Sequence, residues 1–129
     1  MIYFISGHRD ITEEEFKKYY IPAIYSAYYN QDFEGFVVGD YEGVDKMAMD
    51  FITENLPCGL TIYHMFENPR NTPKDESMVS YMGYYKTDED RDAAMTRVSD
   101  VDIAYVREGR WNSGTAQNIK RRHTIKKDG

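Results

Sequence analysis

Short apolar runs alternate along this chain with longer stretches of helical periodicity. Ile2–Ser6 is a run of apolar residues that stops at Gly7, and Phe36–Val38 is another that stops at Gly39. Leu60–His64 and Val101–Val106 complete the set. Continuous rather than alternating apolar runs of this length predict strands buried on both faces, as in a parallel sheet. Between them, a helix is predicted over about 12–29, with Phe16, Tyr20, Ala23, Ile24 and Ala27 on one face. Thr12 followed by Glu15 predicts a capping box at its start, and Pro22 predicts a kink or a split. A second helix over about 43–55 groups Val44, Met47, Ala48, Phe51 and Ile52. A third over Asp88–Val98 is capped near Thr87 or Asp88, and a last one runs from near Ser113 to about Arg122.

Residues 65–86 read as a long loop, because Asn68-Pro-Arg-Asn-Thr-Pro73 is dense turn chemistry. Met78, Tyr81, Met82, Tyr84 and Tyr85 in that stretch are expected to cover a ligand or a partner protomer. Strand and helix alternate four times. That order predicts one α/β domain over 1–122, a three-layer α/β/α arrangement around a mainly parallel sheet of four or five strands, and a basic tail over 123–129.

Charge and composition narrow the function. The chain has 129 residues and a net charge of −6, which argues against a general nucleic-acid binder. The exception is KRRHTIKK, Lys120–Lys127, a basic end on an acidic body. One cysteine, Cys58, excludes an internal disulfide and any multi-cysteine metal site. The three histidines lack metal-ligand spacing, so no structural metal is expected, and no resident cofactor either. Met1–Ser6 is too short for a secretion signal and no apolar run has membrane-spanning length, so a soluble, cytoplasmic protein is expected. Neither a Walker loop nor Gly-x-Gly-x-x-Gly occurs, which argues against an NTPase and a standard dinucleotide dehydrogenase.

The candidate chemistry sits where the strands end. In an open parallel sheet, ligands lie beyond the carboxyl ends of the strands. Three such ends here carry glycine loops that lead into helices: Ser6-Gly7-His8-Arg9-Asp10, Gly39-Asp40-Tyr41-Glu42-Gly43-Val44-Asp45 and Gly109-Arg110-Trp111-Asn112-Ser113-Gly114-Thr115. Glycine lets backbone approach a ligand, and free amides at a helix start attract phosphate. His8 is a candidate phosphate contact or proton exchanger, or else a plain turn residue. His64 is expected to be structural. Tyr41 and Trp111 are candidates to stack on a base or simply to pack over their loops.

These residues resemble the SLOG superfamily, in its YspA-like branch, with Lonely-Guy-type phosphoribohydrolases and DNA-processing protein A as more distant relatives. The likeness rests on Gly7, Arg9 and Asp10 after strand one, and on Gly39, Gly43, Asp45 and Ala48 after strand two. Arg91 before the last strand and Gly114-Thr115-Ala116 opening the last helix complete it. It spans roughly residues 2–122. The resemblance implies a Rossmann-like fold, a nucleotide-, NAD- or ADP-ribose-derived ligand, and a homodimer or higher homo-oligomer. It implies that Gly114 and Thr115 hold phosphate and that Arg91 reaches it from the neighbouring helix.

One departure bears on function. Hydrolases of this kind place glutamate two or three residues after Gly-Thr, where this chain has Gln117 and Asn118. An amide can hydrogen-bond a ribose hydroxyl, but it cannot offset the positive charge that builds on a sugar as its glycosidic bond breaks. The expected function is therefore binding, either sensing or sequestering. The alternatives are an N-glycosidase using Asp40, Glu42 or Asp45 as its carboxylate, and an interaction module with a vestigial pocket.

Overall fold

A computed structural model describes residues 1–111 and 113–128, the side chains of 124–128 apart. The strands are β1 (Ile2–Ser6), β2 (Gly35–Gly39), β3 (Leu60–Met65), β4 (Val79–Tyr85) and β5 (Val101–Ala104). The helices are α1 (Glu13–Tyr19), α2 (Ile21–Tyr28), α3 (Val44–Asn55), α4 (Asp88–Val98) and α5 (Gly114–Asp128). The strands form one sheet in the order β4-β3-β2-β1-β5. Every pairing is parallel. This is a single Rossmann-like domain, as the alternation of runs predicts.

The two sheet faces have different partners. Tyr3, Ile5, Phe36, Val38, Leu60 and Ile62 point to one side, where they pack with Phe16, Tyr20 and Ile24 of the first helical segment and with Ala48, Met49 and Ile52 of α3. Phe4, Val37 and Tyr63 point to the other, against Ala94 and Met95 of α4. The period of two along each strand thus separates two cores of unequal size.

The segment predicted as helical over 12–29 is split, as Pro22 predicts: it forms two helices, with Pro22 in the first turn of α2, where its missing N–H costs nothing. The capping box itself is present: Thr12 accepts from the Glu15 amide, and the Glu15 carboxylate accepts from the Thr12 amide. Two expectations need correction. The long loop over 65–86 contains β4, an edge strand with alternating half-buried and exposed residues. That alternation, with Gly83 inside it, was masked by the turn chemistry before it. The last helix continues past Arg122 to Asp128 rather than giving way to a tail. Among the described residues, no helix is long and apolar enough to cross a membrane.

Candidate functional site

The helices between β1 and β2 and between β2 and β3 leave the sheet on one face, and α4 and α5 pack on the other. The topology therefore reverses between β1 and β5, and a crevice opens there at the strand ends. A cleft of about 390 Å³ occupies it.

The β1 loop forms its floor. Tyr20, fully buried, donates its hydroxyl to the Ser6 carbonyl at 2.8 Å and accepts from the Tyr105 amide at 2.9 Å. One phenol thus ties the ends of β1 and β5 together. Gly7 has no alternative here: a Cβ would lie 2.3 Å from Val44 Cγ2 and 2.4 Å from the Tyr20 hydroxyl. Ser6 lines the cleft, and its Oγ is buried beneath that surface with no hydrogen-bond partner among the described residues. His8 Nε2 accepts from the Arg107 amide at 3.0 Å. A ring that accepts at Nε2 carries its proton on Nδ1 and is neutral. Burial, and then the nearby Arg110 and Arg107, lower the His8 pKa below the usual imidazole value. His8 and Arg9 both line the cleft.

The β2 loop divides its residues. Gly39 lines the cleft; a Cβ on it would meet Asp45 Oδ2 at 2.6 Å and Arg91 Cζ at 2.9 Å. Asp40 is not free to face a ligand, contrary to expectation. It is 0% exposed, turned away from the cleft, and accepts from Arg70 N, Nε and Nη2 at 2.9, 3.2 and 2.8 Å and from Arg91 Nη1 at 2.7 Å. Burial alone would raise its pKa, but the Arg70 hydrogen bonds and both guanidinium charges hold it below the usual carboxylate value. Glu42 is exposed and lies off the cleft. Gly43 starts α3 at φ 80°, and a Cβ there would lie 2.4 Å from Arg9 Cα, so its role is close backbone packing. Tyr41 lines the cleft, but the Arg70 guanidinium already covers its ring at 4.6 Å.

Asp45, in the first turn of α3, is the carboxylate of that loop that reaches the cleft. Its Oδ2 accepts the Tyr41 amide at 3.1 Å. Burial pushes its pKa up to about 7 against the attraction of Arg91, with Asp92 and Asp40 adding repulsion.

From α4, Arg91 and Asp92 form the opposite wall. Arg91 is buried and already bonded to Asp40, to Asp88 at 3.1 Å and to Asp92 at 3.0 Å. Most of its donors are therefore committed to carboxylates. Asp92 was not singled out in the sequence, where it is one of many acids in a helix start. In the structure it lines the cleft, and burial raises its pKa despite bonds from Arg91 and Asn118. Arg70 was missed too, lying in what read as turn chemistry.

The β5 loop closes the site. Ser113 caps α5, its Oγ accepting the Ala116 amide at 3.1 Å and its carbonyl the Gln117 amide at 3.0 Å. Gly114 and Thr115 then stand in the first turn, whose amides have no carbonyl four residues back to bond. Ser113, Gly114, Thr115 and Arg110 all line the cleft, and Arg110 also reaches Asp10 at 3.2 Å. Gly109 adopts φ 84° with open space around it, outside the cleft. Asn118 lines the cleft and donates to Asp92 at 3.3 Å, whereas Gln117 faces an adjoining hollow with Glu89 and Arg121. Trp111 is largely exposed and off the cleft. Outside the site, His64 is structural: Nδ1 lies 3.1 Å from the Met65 carbonyl, and a Cβ on Gly83 would sit 2.1 Å from its ring.

The cleft thus holds both signs of charge. It brings the start of α5, Ser6, neutral His8 and the exposed Arg9 and Arg110 together with Asp45, Asn118, Asp92 and the carboxylate-bound Arg91. Compared with known proteins, the chain matches no family model, no curated protein and no solved structure.

Proposed function

We propose that this protein binds a phosphorylated, nucleotide-derived small molecule, such as a nucleoside monophosphate, NAD or an ADP-ribose derivative, and senses or sequesters it. The observation that carries the reading is Ser6, a cleft residue whose buried hydroxyl has no partner among the described residues, beside the start of α5. Leaving such a group unbonded is costly, so a ligand oxygen is its natural partner. Phosphate suits the position, since helix-start amides, Arg9, Arg110 and the His8 Nδ1–H favour an anion there. Asn118 and the two carboxylates can then take ribose hydroxyls. The order of glycine loops that resembles the SLOG superfamily supports the same reading.

A second reading, N-glycosidase activity, is favoured by one observation. Asp40 and Glu42 are withdrawn, but Asp45 and Asp92 remain at the cleft and leave a carboxylate within reach of a bound sugar. The two are separated by native mass spectrometry with AMP, NAD and ADP-ribose, watching retained mass and released base. Retention without base release is expected; steady base release would replace binding by hydrolysis. In the same assay, Ser6→Ala should weaken retention about tenfold, the usual worth of a hydrogen bond to a charged group. Unchanged affinity in that variant would remove the argument for phosphate at Ser6.

A further inference from the structure

Adjoining the cleft lies a second hollow of about 310 Å³. Asp88, Asp92, Gly114 and Asn118 border both spaces, whereas Glu89, Gln117 and Arg121 belong to the hollow alone. Small-molecule sites run from roughly 300 to 1,000 Å³, so the cleft and the hollow each stand at the low end of that range. Together they offer room for a ligand of two parts, with the start of α5 at their shared border.

Gly114 and Asn118 make that border open and polar. Gly7 and Gly43 are glycine because a Cβ would strike neighbouring atoms. Gly114 is under no such constraint: its φ lies outside the left-handed region, and a Cβ would meet no described atom within 4 Å. Its missing side chain leaves open space where the cleft and the hollow meet. Asn118 is only 2% exposed, and Arg121 Nη1 fixes its amide by donating to Oδ1 at 2.7 Å. Asn118 Nδ2 then donates to Asp92 Oδ2 at 3.3 Å, and its second N–H has no partner among the described residues. Asp92 Oδ1 is held by Arg91, but Oδ2 accepts that one long bond alone among the described residues. A buried amide and a carboxylate, side by side and each with capacity to spare, match the hydroxyl groups of a sugar.

The side chains proper to the hollow sharpen the class. None of the described residues that line it is aromatic or aliphatic, so it suits a hydroxyl-rich group better than a second flat base. Asp88 and Asp92 are paired with arginines, whereas Glu89 has no ion pair among the described residues. A carboxylate there accepts from sugar hydroxyls and repels a terminal phosphate. We infer that the hollow is a second subsite, holding the terminal sugar of a ligand whose pyrophosphate crosses the start of α5 at Gly114. The ligand is then a nucleoside diphosphate sugar rather than a mononucleotide. This subsite presupposes a nucleotide phosphate in the cleft. Asp92, Asn118 and Gln117 face the second sugar, and Asp45, which borders the cleft but not the hollow, is left for the ribose of the nucleoside.

Isothermal titration of AMP and of ADP-ribose into the full chain is the test, with thermal melting as a check on folding. Wild type should bind ADP-ribose roughly tenfold or more tightly than AMP. Glu89→Ala, at an exposed helix position, should cost ADP-ribose about five- to tenfold, the worth of a hydrogen bond to a charged group. AMP, which ends in the cleft, should stay within about twofold in that variant. Gly114→Ala should melt no lower than wild type, since its methyl group meets no described atom. It should weaken ADP-ribose about fivefold more than AMP. Equal affinity for the two ligands, or an ADP-ribose affinity indifferent to Glu89→Ala, would overturn the second subsite and leave the nucleotide cleft in place. An equal loss for both ligands in Gly114→Ala would do the same, because that glycine would then serve the phosphate alone. Binding of neither ligand would remove the cleft reading and the subsite with it.

Discussion

Replacing Asp40 by alanine should lower the stability of the domain by about 3–5 kcal/mol, a large share of the total for a chain this size. The carboxylate is fully buried and accepts four bonds from two arginines that arrive from different parts of the fold. Arg91 comes from α4 and Arg70 from the loop that follows β3; the Asn71 side chain adds a bond to the Asp40 carbonyl at 2.8 Å. Asp40 is thus the pin that holds the β3–β4 loop and α4 against the end of β2. Alanine leaves Arg91 buried with only Asp88 and Asp92, and removing one member of a buried ion pair costs more than the pair ever contributed. Thermal melting at neutral pH should show a loss of about 10–20 °C. The deficit should also depend on pH in a definite direction. The Asp40 pKa is lowered in the fold, so its contribution is present above the unfolded carboxylate value and fades as pH falls through the folded one. Variant and wild type should therefore converge in acid. A variant that melts within two or three degrees of wild type at neutral pH would show that the loop and helix are held by other contacts.

The same residue shows where sequence reading reaches its limit. The parallel sheet was legible because β1, β2 and β3 are buried on both faces and so lack the alternation of exposed strands. The capping box of α1 was legible because both of its partners lie within four residues. β4 was not, since an edge strand is exposed on one side and its first residues follow a run of Asn and Pro. In the site, the loops at Gly7, Gly39 and Gly114 could be placed on one edge by topology alone. Which carboxylate faces the cleft could not. Asp40 and Asp45 are five residues apart on the same loop, and their opposite fates depend on Arg70, thirty residues away in sequence. Asp92 was hidden for a related reason. An acid-rich helix start is favoured by the helix dipole whatever else its residues do, so nothing distinguished the one that turns inward.

Asp45 gives the site a pH dependence that can be measured. Its carboxyl is buried beside Asp92 and Asp40, and its pKa is pushed up to about 7, so below neutrality it holds its proton and is uncharged. Above neutrality it ionises and adds a negative charge to the wall facing the ligand. Affinity for an anion should accordingly fall as pH rises through about 7. ADP-ribose is the informative probe, because its pyrophosphate has no ionisation near neutrality, whereas a monophosphate gains charge near pH 6 and would blur the signal. Burial, and then Arg110 and Arg107, lower the His8 pKa below the usual imidazole value, which moves its titration to the acid side of that of Asp45. The expected change between mildly acidic and mildly alkaline buffer is ten- to about a hundredfold in Kd, or about 1.4–2.7 kcal/mol. Asp45→Asn should remove most of that slope and keep the tighter, low-pH affinity throughout. Stability should carry the matching sign: a raised folded-state pKa adds stability that is complete in acid and is lost as pH rises through about 7, and the amide variant should lack this loss. Calorimetric titration of ADP-ribose into both proteins across the range decides the matter. A slope that survives in Asp45→Asn would assign the titration to another group, with Asp92 the next to replace.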